Sequence, residues 1–327
     1  MKNNTSTCII ELKEDEKELL INLALNLKIS PSKYPNTYCE NAKKLSENIP
    51  IRIKNILLNF SKYGSETGFI IIKGFEINNI PLTPKNNYSK VGEKTLLSKI
   101  QAILLSLIGD MISYEAEGYG LLYQDIIPVK NMSNNQTSMS SIRELEIHTE
   151  QAFSNLRPDI LSLACLRTDK SAFTYILPIK YIIDNISDEE LKLLKMPLWK
   201  IGVDLSFKLN NNNFIDGEIR GPISIINDDD KNDPKIIFDQ DLMIGITEES
   251  NNLISKIIDI YYKYRIEHNL IPGEIILIDN NRAVHGRSSF IPNYDGYDRF
   301  LIRSFITFDY EKSKYARKDR TIKAIYS

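Results

Sequence analysis

Cysteine is scarce in this chain, and its three copies, Cys8, Cys39 and Cys165, stand far apart with no C-x-x-C pair. That spacing excludes a disulfide framework and a cysteine-built zinc site. It suits a reducing cytoplasm, which is the expected location. An excess of one charge is also missing. Lys+Arg number 41 against Asp+Glu 43, a formal net charge of −2, so no bulk field draws the protein to nucleic acid or to an anionic membrane. Long apolar runs are absent as well. The longest, Ala102 to Ile108, stops at Gly109-Asp110, far short of the roughly 18 residues of a membrane span. Met1-Lys2-Asn3-Asn4-Thr5 leads into Glu11, Glu14, Asp15 and Glu16 without an apolar stretch, so no secretory leader is expected. No internal repeat or linker divides the chain, which reads as one domain over 1–327. Its 42% hydrophobic and 9% aromatic residues are enough for a real core and exclude global disorder.

The first 115 or so residues have helical texture. Leu19, Leu20, Leu23 and Leu27 recur at three- and four-residue intervals and predict a helix from Glu14 to Leu27. A second helical stretch runs from about Ala42 to Phe60, and Pro50 divides it because proline cannot donate an interior helical bond. Gly68 to Phe75 is an Ile-rich run bracketed by glycines and reads as a buried strand, after which Leu96 to Ile112 returns to helical spacing.

From about residue 116 the texture becomes short β-prone pieces: Gly120 to Val129, Ile160 to Arg167, Phe173 to Leu177, Lys200 to Lys208, Ile223 to Ile226, Ile236 to Phe238, Ile275 to Asp279 and Phe300 to Phe308. One helix is expected to interrupt them over 248–268. Asn131 to Ser141 reads as a mobile loop, and Asn210 to Asn213 and Asp228 to Asp230 as hairpin tips. Many short strands joined by polar turns suggest a sandwich or barrel.

Only three histidines exist, His148, His268 and His285. If His148-Thr149-Glu150 is extended, period-two alternation puts imidazole and carboxylate on one side. His285 follows the apolar run Ile275 to Asp279 and precedes Gly286-Arg287, so it is expected in a turn just beyond a buried strand. Two His and one carboxylate form the facial set of non-haem Fe(II) with open positions, while a His₂Glu zinc site remains a rival without the helical H-E-x-x-H arrangement. His268 reads as an exposed residue or dipole partner at the end of the 248–268 helix.

Two blocks carry a resemblance. Glu146-Ile147-His148-Thr149-Glu150-Gln151-Ala152-Phe153-Ser154, with Arg157-Pro158-Asp159, and Asn280-Asn281-Arg282-Ala283-Val284-His285-Gly286-Arg287, with Asp298-Arg299-Phe300-Leu301-Ile302-Arg303, resemble the clavaminate synthase-like Fe(II)/2-oxoglutarate oxygenases. Within that family the chain looks most like free amino-acid hydroxylases acting on asparagine, arginine or lysine. The likeness is diffuse from Gly68 and dense from Gly120 onward. Glu in place of the more common Asp ligand fits this subgroup.

The resemblance implies a double-stranded β-helix (jelly roll) flanked by helices, with a lid near 130–142. It implies Fe(II) held by His148, Glu150 and His285, with 2-oxoglutarate and O2 as cosubstrates. Arg299 matches the position that clamps the distal carboxylate of 2-oxoglutarate, as a planar guanidinium does better than lysine. Thr174 matches the hydroxyl that shares that cosubstrate, and Arg303 the anchor of the substrate's α-carboxylate. Gln124, with Glu150, is expected near the amino-acid head group. Asp239 and Asp241 are expected on one face, where two close carboxylates call for a cation between them.

The implied activity is hydroxylation of an unactivated β or γ C–H of free L-lysine or L-arginine, with succinate and CO2 released. Rivals are the same iron site acting on a neutral or carrier-bound amino acid or as a desaturase, and a non-catalytic binding protein. Neither nucleic acid nor membrane is an expected partner, and homo-oligomer formation stays open.

Overall fold

A computed structural model describes residues 8–203, 218–227 and 233–326. The chain opens with β1 (Ile9–Glu11), α1 (Glu14–Asn26), α2 (Pro35–Ser46) and α3 (Ile51–Tyr63), followed by β2 (Phe69–Lys73). Pro50 is the residue at which α3 begins, so the expected division of the second helical stretch is present. Its first half starts earlier than expected, at Pro35, where the missing N–H costs nothing in a first helical turn.

The helix expected over Leu96 to Ile112 is α4 (Leu96–Ile108) alone, and the rest is β3 (Asp110–Tyr114). Gly109 marks the break. A Cβ there would lie 2.4 Å from Ile306 Cγ2 and 2.7 Å from the Thr307 carbonyl oxygen, so only glycine lets the chain turn this close to its neighbouring strand.

Onward come β4 (Gln124–Ile126), much shorter than the β-prone run that contains it, then β5 (Leu145–His148), β6 (Ile160–Arg167) and β7 (Thr174–Pro178). Next are α5 (Ile179–Ile183), α6 (Asp188–Leu194), β8 (Trp199–Gly202), β9 (Ile219–Ile223), β10 (Ile226–Asn227), β11 (Lys235–Ile236) and β12 (Met243–Gly245). The end of the expected Lys200 to Lys208 strand and both expected hairpin tips, Asn210 to Asn213 and Asp228 to Asp230, lie outside the described residues.

The helix expected over 248–268 is α7 (Glu248–Tyr264), and β13 (Ile266–His268) follows at once because Arg265 turns extended. His268 is therefore not at a helix end. It pairs with Thr174 across two strands, and its Nε2 lies 2.8 Å from Glu274 Oε2. The chain finishes with β14 (Ile275–Asp279), β15 (Ala283–Arg287), β16 (Phe300–Thr307), β17 (Arg317–Lys318) and β18 (Thr321–Ile322).

The strands form a nine-stranded major sheet, ordered β1-β2-β14-β6-β16-β3-β18-β17 with β4 also on β16, and a four-stranded minor sheet, β13-β7-β15-β5. The first 115 residues are thus more than a helical cover, since three of their segments are strands of the major sheet.

Side-chain alternation explains the layers. Ile160, Ala164, Phe300, Ile302 and Ile306 point out of the major sheet into a core shared with α1 to α4. Leu161, Leu163, Leu301 and Phe305 point the other way and meet Ile176 and Ala283 of the minor sheet. The far side of the minor sheet, with Tyr175, Leu177 and Val284, packs against α5 and α7. Polar residues on the inner faces therefore have no route to solvent except through the mouth between the sheets. No helix among the described residues is long and apolar enough to cross a membrane.

Gly273, in the turn before β14, has φ +91, and a Cβ on it would sit 2.0 Å from the Phe75 carbonyl oxygen. Gly273→Ala combines left-handed strain with a backbone clash and should destabilise the fold by about 2–4 kcal/mol. A lowered midpoint in denaturant titration is the check, and an unchanged midpoint would contradict this account of the turn.

Candidate metal centre and active site

Parity places the chemistry. On β15, Ala283 packs between the sheets and Val284 outside, so His285 and Arg287 both face inward. His285 therefore sits within a strand, not in the turn expected for it; the turn is the preceding 280–282 segment. On β5, Ile147 packs outward and His148 stands directly opposite His285 in the antiparallel register. The two imidazole centroids are 4.5 Å apart.

Extended alternation is not what brings Glu150 in, because β5 ends at His148. The Thr149 N–H donates to the Phe238 carbonyl oxygen (2.7 Å), and the Glu150 N–H donates to Asn280 Oδ1 (2.6 Å). Asn280 in turn donates to the carbonyl oxygens of Glu150 (3.1 Å) and Pro158 (2.8 Å). This buried amide, which the sequence reading passed over, fixes the carboxylate beside the imidazoles.

Ligand atoms of His148, Glu150 and His285 all lie within 4.8 Å of one another. His148 Nδ1 is 2.8 Å from the Glu146 carbonyl oxygen, which can only accept, so Nδ1 is the donating nitrogen of this contact. Burial, reinforced by His148, holds His285 down at about 4, so its ring is neutral at pH 7. For Glu150 burial acts to raise the carboxyl, but the Arg303 charge and the His285 contact outweigh it and hold it at about 2. Two imidazoles and one carboxylate gathered this closely fit a divalent metal, and specifically the open-sided donor set of non-haem Fe(II). His285 Nδ1 has no hydrogen-bond partner among the described residues, so this ring has less outer support than that of His148.

Arg303, on the inner face of β16, is tied down on three sides. It donates through Nη1 to Glu150 Oε1 (3.2 Å), through Nε to Gln124 Oε1 (3.0 Å) and through Nη2 to Glu117 and Gln124. Gln151 Nε2 donates to the second Glu117 oxygen at 2.8 Å. Gln124 thus commits its carbonyl to Arg303, while its Nε2 has no partner. Glu117 and Gln151 were not among the expected residues. Their one local signal is that Gln151 adjoins Glu150 and has φ 52, an unusual backbone for a side-chain-bearing residue.

Arg299 lies beyond His148 and Glu150 in a smaller cavity of about 450 Å³, with Thr174, His285, Arg287 and Arg303 also on its wall. Arg299 is only 6% exposed and makes no hydrogen bond or ion pair among the described residues. Burial lowers its guanidinium to about 10. The nearest cation contact is the Phe290 ring, 5.9 Å from the guanidinium, which leaves the buried charge poorly compensated among the described residues.

The larger cavity, about 1040 Å³ including its open mouth, shares His148, Glu150 and Arg303 with the smaller one, so the metal cluster sits at their junction. Asp239 and Asp241 both line it. They do not share a strand face. Asp239 forms an isolated bridge to His148, and its Oδ1 accepts the N–H groups of Asp241 (3.0 Å) and Leu242 (2.9 Å), which turns the chain before β12. The two carboxylates meet the cavity through that turn and not through alternation. The 130–142 segment closes one side, with Met132, Gln136, Thr137 and Ser138 on the wall.

Four likenesses agree with this geometry. Residues 219–305 match the family model described as taurine catabolism dioxygenase TauD, TfdA family. The chain is 43% identical over 293 residues to the L-lysine 3-hydroxylase of Catenulispora acidiphila, covering 89% of this chain and 82% of that one. It is 27% identical to the L-asparagine oxygenase of Streptomyces coelicolor over 94% of this chain and 92% of that one. An asparagine oxygenase structure holding Fe(II), 2S,3S-3-hydroxyasparagine and succinate superposes with a TM-score of 0.89 at 27% identity, over 97% of this chain and 99% of that one. With its facial ligand set, its orphaned arginine and these relatives, the chain belongs to the TauD/TfdA dioxygenase family, among its clavaminate synthase-like members.

Proposed function

We propose that the protein is an Fe(II)- and 2-oxoglutarate-dependent hydroxylase of a free basic L-amino acid, with L-lysine at C3 the leading substrate. The two facing sheets are read as a double-stranded β-helix, in one domain over 1–327, with the metal centre at its open end. The observation that carries the substrate reading is the charge of the larger cavity. Glu117, Glu146, Glu150, Asp239 and Asp241 line it against the single cation Arg303. Glu117 and Glu150 share the one positive charge of Arg303, and Glu146 lies 2.8 Å from Arg143. Asp241, on the wall of the same cavity, adds a negative charge where a cationic side chain can be received.

His148, Glu150 and His285 would hold the iron. Bound iron and 2-oxoglutarate supply the oxidation: one atom of O2 ends in succinate as CO2 leaves, and the other enters the product as hydroxyl. The protein's own residues position and exclude. Arg299 grips the far carboxylate of 2-oxoglutarate through paired hydrogen bonds, with the Thr174 hydroxyl on the same wall. Arg303 keeps Glu150 oriented and presents positive charge where the substrate's α-carboxylate must lie. The 130–142 segment keeps water from the reacting C–H.

The test is mass spectrometry of the protein incubated with Fe(II), ascorbate, 2-oxoglutarate and a pool of L-amino acids in air. Lysine should gain one oxygen in step with succinate; loss of two hydrogens instead would mean desaturation. Asp241→Ala should raise the lysine KM by about 10- to 100-fold, the worth of one charge-assisted hydrogen bond. Oxidation of a neutral amino acid with lysine left untouched would overturn the substrate reading and the role of this turn.

A further inference from the structure

Arg287 has no part in the chemistry described so far, yet it is 4% exposed and lies two residues beyond His285 on the same inner face. Among the described residues its guanidinium has no carboxylate partner. Nε donates to the Ser288 carbonyl oxygen at 3.1 Å. The remaining donors all reach the segment over the cavity: Nη1 to the Ser138 carbonyl oxygen (3.4 Å), and Nη2 to Ser140 Oγ (3.0 Å) and the Arg143 carbonyl oxygen (3.2 Å). The segment is also tied to its surroundings by Met139, whose carbonyl oxygen accepts the Val129 N–H (3.0 Å). Ser141 and Ile142 donate to the Ser133 carbonyl oxygen (3.2 and 3.0 Å), and the Phe290 N–H donates to that of Ser141 (2.8 Å). Ser138, Arg287 and Arg299 line one cavity. Three buried arginines therefore line the same small space: Arg303 is paired with Glu117 and Glu150, Arg287 reaches the segment, and Arg299 makes no hydrogen bond or ion pair among the described residues, its guanidinium 5.9 Å from the centre of the Phe290 ring.

We propose that Arg287 is a positioning residue that couples filling of the Arg299 cavity by a dicarboxylate to closure of the 138–143 segment over the substrate. The argument is electrostatic. A buried guanidinium bonded only to neutral oxygens is poorly compensated, and a second one close by makes it worse. An anion bound at Arg299 cancels that repulsion, so Arg287 is favoured in the inward position that holds the segment down. The order of binding then has a structural cause: cosubstrate first, then an ordered wall against which the amino acid packs. The inference rests on 2-oxoglutarate occupying the Arg299 cavity, and the test separates the two ideas.

Hydrogen exchange would be followed on the Fe(II)-loaded protein without oxygen, with and without saturating 2-oxoglutarate, while calorimetry on the same samples reports whether 2-oxoglutarate binds. In the unsubstituted protein, exchange of the Ser141, Ile142 and Phe290 amides should slow by about tenfold or more on binding, a change of about 1.4 kcal/mol. In Arg287→Gln that slowing should vanish although 2-oxoglutarate still binds, and Arg287→Lys, a point charge without the fork, should restore only part of it. Ser140→Ala removes one acceptor from the segment without touching the metal residues. It should weaken the effect and keeps the test decisive should Arg287→Gln fold poorly. Arg287→Gln should also form more succinate per hydroxylated product, because an open wall admits water. Bound 2-oxoglutarate with equal protection before and after, or a full effect in Arg287→Gln, would overturn the coupling. Failure of 2-oxoglutarate to bind at all would overturn the cosubstrate assignment, and the coupling with it.

Discussion

Arg299→Ala is expected to raise the KM for 2-oxoglutarate by about 30-fold to several thousandfold while leaving the thermal midpoint unchanged or slightly higher. The first effect follows from losing a buried, charge-assisted pair, worth about 2–5 kcal/mol when one partner is removed. The second follows from the state of the side chain before any ligand arrives. Arg299 is buried and makes no hydrogen bond or ion pair among the described residues, so truncating it removes a desolvated charge and breaks no bond within the fold. Arg299→Lys should recover little, since an ammonium cannot offer the two parallel donors of a guanidinium. Steady-state kinetics and a thermal scan on the same preparations test both halves. A large fall in the midpoint would mean that Arg299 is a structural residue.

His148→Ala should abolish succinate and hydroxylated product together, by about a thousandfold or more, because several kcal/mol of metal-dependent stabilisation depend on the complete ligand set. His148 is the ligand to choose because its supports are local. Its Nδ1 bonds the carbonyl of Glu146, two residues back on the same strand, and its ring contacts His285. Truncation opens a space at a half-buried cavity wall and leaves the Asn280 and Arg303 bonds to Glu150 in place. The fold should therefore survive, as circular dichroism would report, while Fe(II) affinity measured by equilibrium dialysis collapses. Retained Fe(II) binding with retained turnover would remove His148 from the metal centre. Loss of product with succinate formation intact would instead assign it to substrate placement.

Much of the site was legible because strand parity is written locally. Leu301, Arg303 and Phe305 alternate with Phe300, Ile302 and Ile306, and that pattern alone puts Arg303 on one side of its strand. The runs Ile160 to Arg167 and Ile275 to Asp279 are predominantly apolar in the sequence and are strands in the fold, as expected for strands buried on both faces. Where a local rule was extended past the end of its element it failed. Glu150 and the Asp239-Asp241 pair reach the cavity through turns held by side chains, and His268 belongs to a strand because Arg265 ends the helix early.

The sequence by itself determined the donor groups that meet in the cluster, the two blocks that carry them and the inward face of the strands, since each is a property of a few consecutive residues. Only the tertiary structure decided which distant groups complete the site. Glu117 meets Arg303 across 186 positions and Asn280 meets Glu150 across 130, while Arg287 reaches back more than 140 residues to the segment above the cavity. No periodicity reports such pairs. They exist because two sheets close on each other and exclude water, and a buried charge or amide must then find its partner among whatever residues the closure brings within hydrogen-bond reach.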